Sequence, residues 1–183
     1  MPALADAIAH LASTDATVRA RAAAELYRAG RVLGDAATQG WRADAELAAL
    51  LVQELTVGVT VTPEHFQAIR AVMGAPRLAD VPPDQDAQEF ELHLGEARLD
   101  ILTTRVPGGS GAIAKFLEKF GEGIQQVEYF VRDVDRATEL LRGRFGVQPI
   151  YPQTRAGADG TRVNFFLAST PDGKKVLIEL VQT

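Results

Sequence analysis

The 183 residues contain no cysteine. Disulfides, zinc–thiolate sites, iron–sulfur clusters and cysteine nucleophiles are thereby excluded, and the absence suits a cytoplasmic protein. Only three histidines are present, His10, His65 and His93, so there is little material for imidazole metal ligation or histidine acid–base work. A basic tract is missing too. Nineteen lysines and arginines stand against 24 aspartates and glutamates, for a formal charge of −5, and a nucleic-acid partner has no electrostatic footing. No apolar run approaches the roughly eighteen residues a membrane span needs, and the N-terminus lacks the basic-then-apolar layout of a secretory signal. What is present, 46% hydrophobic and 23% charged residues, is the composition of a soluble folded domain rather than a disordered chain. The length admits one domain with an extension, or two small ones.

The chain changes texture near residue 54. Before that point it is alanine-rich and free of β-branched runs, which favours helices. Leu4, Ile8 and Leu11 predict a short first helix. Ser13, Thr14 and Asp15 supply the N-cap of a second, with Val18, Ala22, Leu26 and Ala29 on its stripe, and Gly30, Gly34 and Gly40 blur its end. Asp44 caps a third, burying Leu47, Leu50 and Leu51. The run Asp15–Leu26 resembles part of a HEAT-type helical repeat. One such unit cannot cover its own apolar face, so residues 1–54 are expected to form a helical arm that docks on the rest of the chain or on a partner, without chemistry of its own.

From Leu55 the pattern is mixed. Leu55, Val57, Val59 and Val61 alternate with Thr56, Gly58 and Thr60, the period of a strand. Thr62 and Pro63 then open a helix carrying Phe66, Ile69, Val72 and Met73, closed by Gly74. Two further strands follow at Ala87–Leu94 and Arg98–Thr103, with Arg77–Val81 as a weak candidate between helix and strands. A glycine-rich connector, Pro107–Gly111, leads to a helix with Ile113, Phe116, Leu117 and Phe120 on its apolar side. The order then recurs: strand Ile124–Val131, a helix capped by Asp133, a short strand Val147–Tyr151, and strands Thr161–Ala168 and Lys175–Gln182. The chain is thus expected to be α+β, with two βαβββ modules.

The run Ile113-Ala-Lys-Phe-Leu-Glu-Lys-Phe-Gly-Glu-Gly-Ile124, with Arg162-Val-Asn-Phe-Phe166 and Val176-Leu-Ile-Glu-Leu-Val181, resembles methylmalonyl-CoA epimerases of the vicinal-oxygen-chelate (glyoxalase) superfamily. The likeness is close from about residue 84 onward, looser over 55–83 and absent from 1–54. It implies a glyoxalase-type sheet cleft over residues 55–183: module one 55–105, connector and helix 106–123, module two 124–183. It also implies an acyl-CoA substrate and a divalent metal that stabilises an enolate as a Lewis acid.

Carried over by that resemblance, the four metal positions fall on Thr56, Asp100, Gln126 and Glu179, and the two proton-transferring carboxylates on Glu89 and Glu179. Glu89 and Glu179 match the family. Asp100 stands where it has glutamine or glutamate, and Thr56 and Gln126 stand where it has histidine. Glu128 replaces a small residue on the same strand face as Gln126. An oxygen-only donor set suits magnesium, manganese or calcium rather than zinc, cobalt or nickel, so the expected metal ligands are Asp100, Gln126, Glu179 and Glu128. Thr56, Glu91 and Lys115 are expected in the substrate cleft, with Lys115 and Lys119 near a CoA phosphate unless they are simply solvated. His93 shares a strand face with Glu89 and Glu91. His10 and His65 are expected at a surface or interface.

Two functions follow. In one, the cleft has a degenerate metal site and binds a small molecule, an acyl-CoA or a small polar or cationic ligand. In the other, it is an active isomerase working by proton transfer at a carbon α to a carbonyl. A homodimer is the expected assembly by base rate, and a membrane partner is not expected.

Overall fold

A computed structural model describes residues 2–183. The fold is α+β, with six helices and seven strands among the described residues. They are α1 (Pro2–His10), α2 (Ala16–Ala37), α3 (Ala45–Leu50), β1 (Leu51–Thr60), α4 (Pro63–Val72), β2 (Ala87–Leu94), β3 (Ala97–Thr104), α5 (Ala112–Phe120), β4 (Gly123–Val131), α6 (Val134–Arg144), β5 (Arg155–Ala156), β6 (Arg162–Ser169) and β7 (Lys175–Gln182).

The helix starts follow from local hydrogen bonds. Asp15 Oδ1 accepts from the Thr17 amide at 2.8 Å, Asp44 Oδ1 from Leu47 at 2.9 Å, and Asp133 Oδ1 from Arg136 at 2.9 Å. Thr62 caps α4, with Pro63 at the first helical position, where no N–H is missed. Each cap satisfies a donor that the helix itself leaves orphaned. Strand β1 begins at Leu51 rather than Leu55, because α3 passes into it without a loop.

The chain divides into two compact units, residues 1–29 with 57–125 and residues 30–56 with 126–183. The division cuts through α2 between Ala29 and Gly30, so the N-terminal helices contribute to both units. In the first unit β2 pairs antiparallel with β3, and β3 pairs parallel with the second half of β1. Helix α4 lays Phe66 and Ile69 against that sheet, and Phe66 meets Phe90 edge-on at 5.0 Å. Ile8, Leu11 and Leu26 are fully buried.

In the second unit the strand order is β4-β7-β6-β5, with β4 parallel to β7 and β6 antiparallel to both neighbours. One face of this sheet carries Val127, Tyr129, Ile178, Leu180 and Phe166, all buried. Helix α6 adds Val134, Ala137, Leu140 and Leu141 to the core. Helix α2 runs unbroken through Gly30 and Gly34, which leave its end open in the sequence. Gly34 is needed for another reason: a Cβ there would stand 2.6 Å from the Tyr129 hydroxyl and 2.8 Å from Val127 Cγ1. The helix ends after Ala37, and Gly40 follows at φ +93°. Trp41 is buried beyond it.

The second strand expected in each module is not formed. Arg77–Val81 meets β2 through the Ala79 N–H to Glu89 carbonyl bond of 3.0 Å. Val147–Tyr151 keeps one bridge, Pro149 to Phe166, and the Ile150 N–H to Phe165 carbonyl bond. Pro149 has no N–H to give a ladder, and Pro76, Pro82 and Pro152 bound the two stretches.

Candidate functional site

The second unit assembles a three-row face from β4, β7 and β6. Register places Gln126, Leu177 and Leu167 side by side in one row, Glu128, Glu179 and Phe165 in the next, and Phe130, Val181 and Val163 in the third. Strand alternation puts all nine on the same side of the sheet. The middle of this face is polar and nearly closed: Gln126 is 6% exposed, Glu128 8% and Glu179 9%. Its edge is apolar and open, with Leu167 52% exposed and Phe165 and Leu177 half-buried.

Gln126 joins the two carboxylates. Its Nε2 donates to Glu128 Oε1 at 3.0 Å and to Glu179 Oε2 at 2.7 Å. Ionised carboxylates accept and cannot donate, so an amide oxygen turned towards them would set acceptor against acceptor. The orientation of the amide follows from its neighbours. Such bonds to a charged acceptor are about twice as strong as neutral ones, and they offset part of the repulsion between two carboxylates paired directly across adjacent strands.

Beside this face, Tyr151 meets Phe165 edge-on at 6.0 Å, and the Arg155 guanidinium lies 4.4 Å from the Tyr151 ring centre. Gly157, in the loop that follows β5, has no room for a side chain: a Cβ would overlap Thr161 Oγ1 and stand 2.6 Å from Val163 Cγ1. Thr56, on β1, is also in the second unit and buried.

The other sequence candidates belong to the first unit. Glu91 is paired across the strands with Asp100, Glu89 with Leu102 and His93 with Arg98. Glu89, Glu91, His93 and Asp100 therefore share one face, as alternation predicts, and His93 Nε2 lies 3.4 Å from Glu91 Oε2. Asp100 is 7% exposed. Lys115 is exposed on α5. His65 has a role that the sequence pattern does not reveal: its Nδ1 lies 3.0 Å from both oxygens of Glu122, and Glu122 also accepts from the Thr62 amide at the start of α4. Glu122 was not a sequence candidate, since nothing local marks a loop carboxylate as a helix cap 60 residues upstream.

Three solved structures frame this geometry. Methylmalonyl-CoA epimerase from Mycobacterium tuberculosis aligns at 30% identity and a TM-score of 0.56, over 73% of this chain and 87% of that one. The chain belongs to the vicinal-oxygen-chelate (glyoxalase) superfamily. A hypothetical protein from Bacillus halodurans C-125 aligns at 26% identity and a TM-score of 0.56, over 70% and 91% of the two chains. A Streptomyces coelicolor methylmalonyl-CoA epimerase variant, in complex with 2-nitronate-propionyl-CoA, aligns at 25% identity and a TM-score of 0.54, over 70% and 94%. No family model and no curated protein matches.

The superfamily resemblance implies a divalent metal, and the donor set of this member does not fit one as it is arranged. Gln126 offers the carboxylates N–H groups, which cannot ligate a cation. Among the described residues no three His, Cys, Asp or Glu side chains converge in a way that would hold a metal ion. Gln126, expected as an oxygen ligand, is instead a donor to two of the other expected ligands.

Proposed function

We propose that this protein is a methylmalonyl-CoA epimerase-like glyoxalase-fold protein with a degenerate metal site, binding a small acyl-CoA-type ligand without turning it over as the epimerases do. The observation that carries the reading is the Gln126 amide held between Glu128 and Glu179 at 3.0 and 2.7 Å. That arrangement occupies the positions from which the resemblance would have imidazole and carboxylate hold a Lewis acid. A Lewis acid at an enolate oxygen is worth several kcal/mol of barrier, and the residues as they stand supply no substitute of that strength.

Ligand binding itself is supported by the apolar margin beside that polar centre. Leu167, Leu177 and Phe165 present a surface on which the acyl and thioester part of a ligand can lie, with Thr56 on the neighbouring strand. In this reading Glu89 is the candidate proton-transferring carboxylate carried over from the family, with Glu91 and Lys115 as candidate contacts for the substrate and a CoA phosphate. The ligand complex of the Streptomyces coelicolor protein supports the choice of acyl-CoA as the ligand class.

The test is calorimetric titration of propionyl-CoA and methylmalonyl-CoA into the protein, run beside solvent deuterium exchange into methylmalonyl-CoA with wild type and Glu89→Gln. Saturable binding with no exchange above buffer is the expected result. Absence of binding by either thioester overturns the ligand class. Exchange that disappears in Glu89→Gln would make the protein an active isomerase.

A further inference from the structure

We infer that Gln126 is this chain's internal replacement for a metal ion: its amide –NH2 ties Glu128 to Glu179 and fills carboxylate lone pairs that a cation would otherwise take. The face then keeps its shape with no resident divalent ion. The inference deepens the proposed function by assigning the device that makes the site metal-free, and its test reads metal content and stability rather than ligand.

The argument starts from register. Glu128 and Glu179 are direct partners on adjacent parallel strands, 8% and 9% exposed. Two carboxylates so placed repel each other and are poorly hydrated, and the strand pairing prevents them from separating. A proton held by one of them, a cation, or a hydrogen-bond donor between them relieves that repulsion. A divalent ion held by oxygen donors is one solution. This chain has another: Gln126, two residues before Glu128 on the same strand face, reaches both carboxylates with its two amide hydrogens. The solutions exclude each other at this residue. To ligate a cation, the amide must turn its oxygen inward and give up both bonds, replacing two charge-assisted contacts with a weak neutral donor. Glutamine is isosteric with glutamate and carries no charge, so it joins the carboxylates without adding a third to the pair. Gln126 is a positioning residue in this account, acting through Glu128 and Glu179.

The experiment compares wild type with Gln126→Glu and Gln126→Met. Wild type purified from medium supplemented with magnesium, calcium, manganese, zinc and cobalt is expected to carry no stoichiometric divalent ion. Its Tm is expected to be the same with EDTA as with each metal. Gln126→Glu places three carboxylates together, and its Tm is expected to fall by about 5 °C or more in EDTA and to recover with manganese or calcium. Gln126→Met removes both donors without adding charge, so its Tm falls and no metal restores it. A purely structural glutamine would not confer metal rescue on its glutamate variant. The inference is overturned by one equivalent of metal in wild type, by a wild-type Tm that drops in EDTA, or by a Gln126→Met protein as stable as wild type. If Gln126→Glu does not fold, the wild-type metal content and Gln126→Met decide the matter. Failure of thioester binding would count against the proposed function alone.

Discussion

Replacing Gly34 with alanine ought to weaken this protein, although alanine is the better helix former. Gly34 lies inside α2, where the exchange alone favours the folded state by about 1 kcal/mol. The added methyl, however, would stand 2.6 Å from the Tyr129 hydroxyl and 2.8 Å from Val127 Cγ1. Carbon contacts are comfortable at about 3.5–4.0 Å, so helix and strand must part by nearly an ångström or Tyr129 must leave its place. Overpacking of this kind costs about 1–3 kcal/mol, and displacing Tyr129 also breaks the 3.4 Å contact between its hydroxyl and Thr38 Oγ1, a further loss of up to about 1 kcal/mol. The balance is about 1–2 kcal/mol against the variant. In a chain of this size that lowers Tm by roughly 2–8 °C. Gly143, inside α6, is the control, because nothing lies within 4 Å of a Cβ there. Gly143→Ala is expected to raise Tm by about 2–4 °C. Thermal denaturation followed by circular dichroism reads both, and Gly34→Ala with Val127→Ala should recover part of the loss. Equal stabilisation by the two alanines would refute the close approach of α2 to β4, and with it the assignment of that part of α2 to the second unit.

Other perturbations bear on the same unit. Asp44 and Glu46 are held below the usual carboxylate range. The main cause for Asp44 is the Leu47 amide, followed by Arg144; for Glu46 it is Arg136. A depressed folded-state pKa gives stability that is present above the ordinary values of 3.8 and 4.5 and is lost as pH falls through the lowered ones. Arg144→Ala should therefore flatten the acid limb of a Tm–pH curve, and an unchanged slope would show these ion pairs to be idle. Burial pushes the Tyr129 phenol above its ordinary 10.0, so its contribution is present below that value and lost as pH rises above it. Tyr129→Phe should flatten the alkaline limb, and phenolate absorbance should show one of three tyrosines resisting titration until the protein unfolds. Gly157→Ala, with no space for its methyl between Thr161 and Val163, should cost about 1–3 kcal/mol of stability and lower Tm accordingly; a wild-type Tm would mean the loop relaxes freely.

Most of the element order was legible because its determinants are local. Asp15, Asp44, Thr62–Pro63 and Asp133 announce helix starts by bonds to amides two or three residues away. Alternation likewise put Gln126 with Glu128, and Glu89 with Glu91 and His93, on shared faces. What was misread depends on partners far along the chain. Gly34 leaves the end of α2 open until Val127 and Tyr129 are seen to need the space. The stretches 77–81 and 147–151 have some strand character, but neither is a strand in the structure, and Pro149 has no N–H to give a ladder. The pairing of Glu128 with Glu179 is set by parallel register across 51 residues of chain, which alternation within a strand cannot give. Nor does residue type tell whether a glutamine will present its oxygen or its nitrogen to a neighbour. That choice is decided by the two carboxylates around it, and it separates a metal ligand from a hydrogen-bond donor.

The central claim is a ligand face organised by Gln126 without a metal. Its most direct measurement is titration of propionyl-CoA into protein stripped with EDTA, repeated after adding back manganese. The account predicts saturable binding of equal affinity in both conditions. Binding that appears only with manganese, or in neither condition, would contradict it.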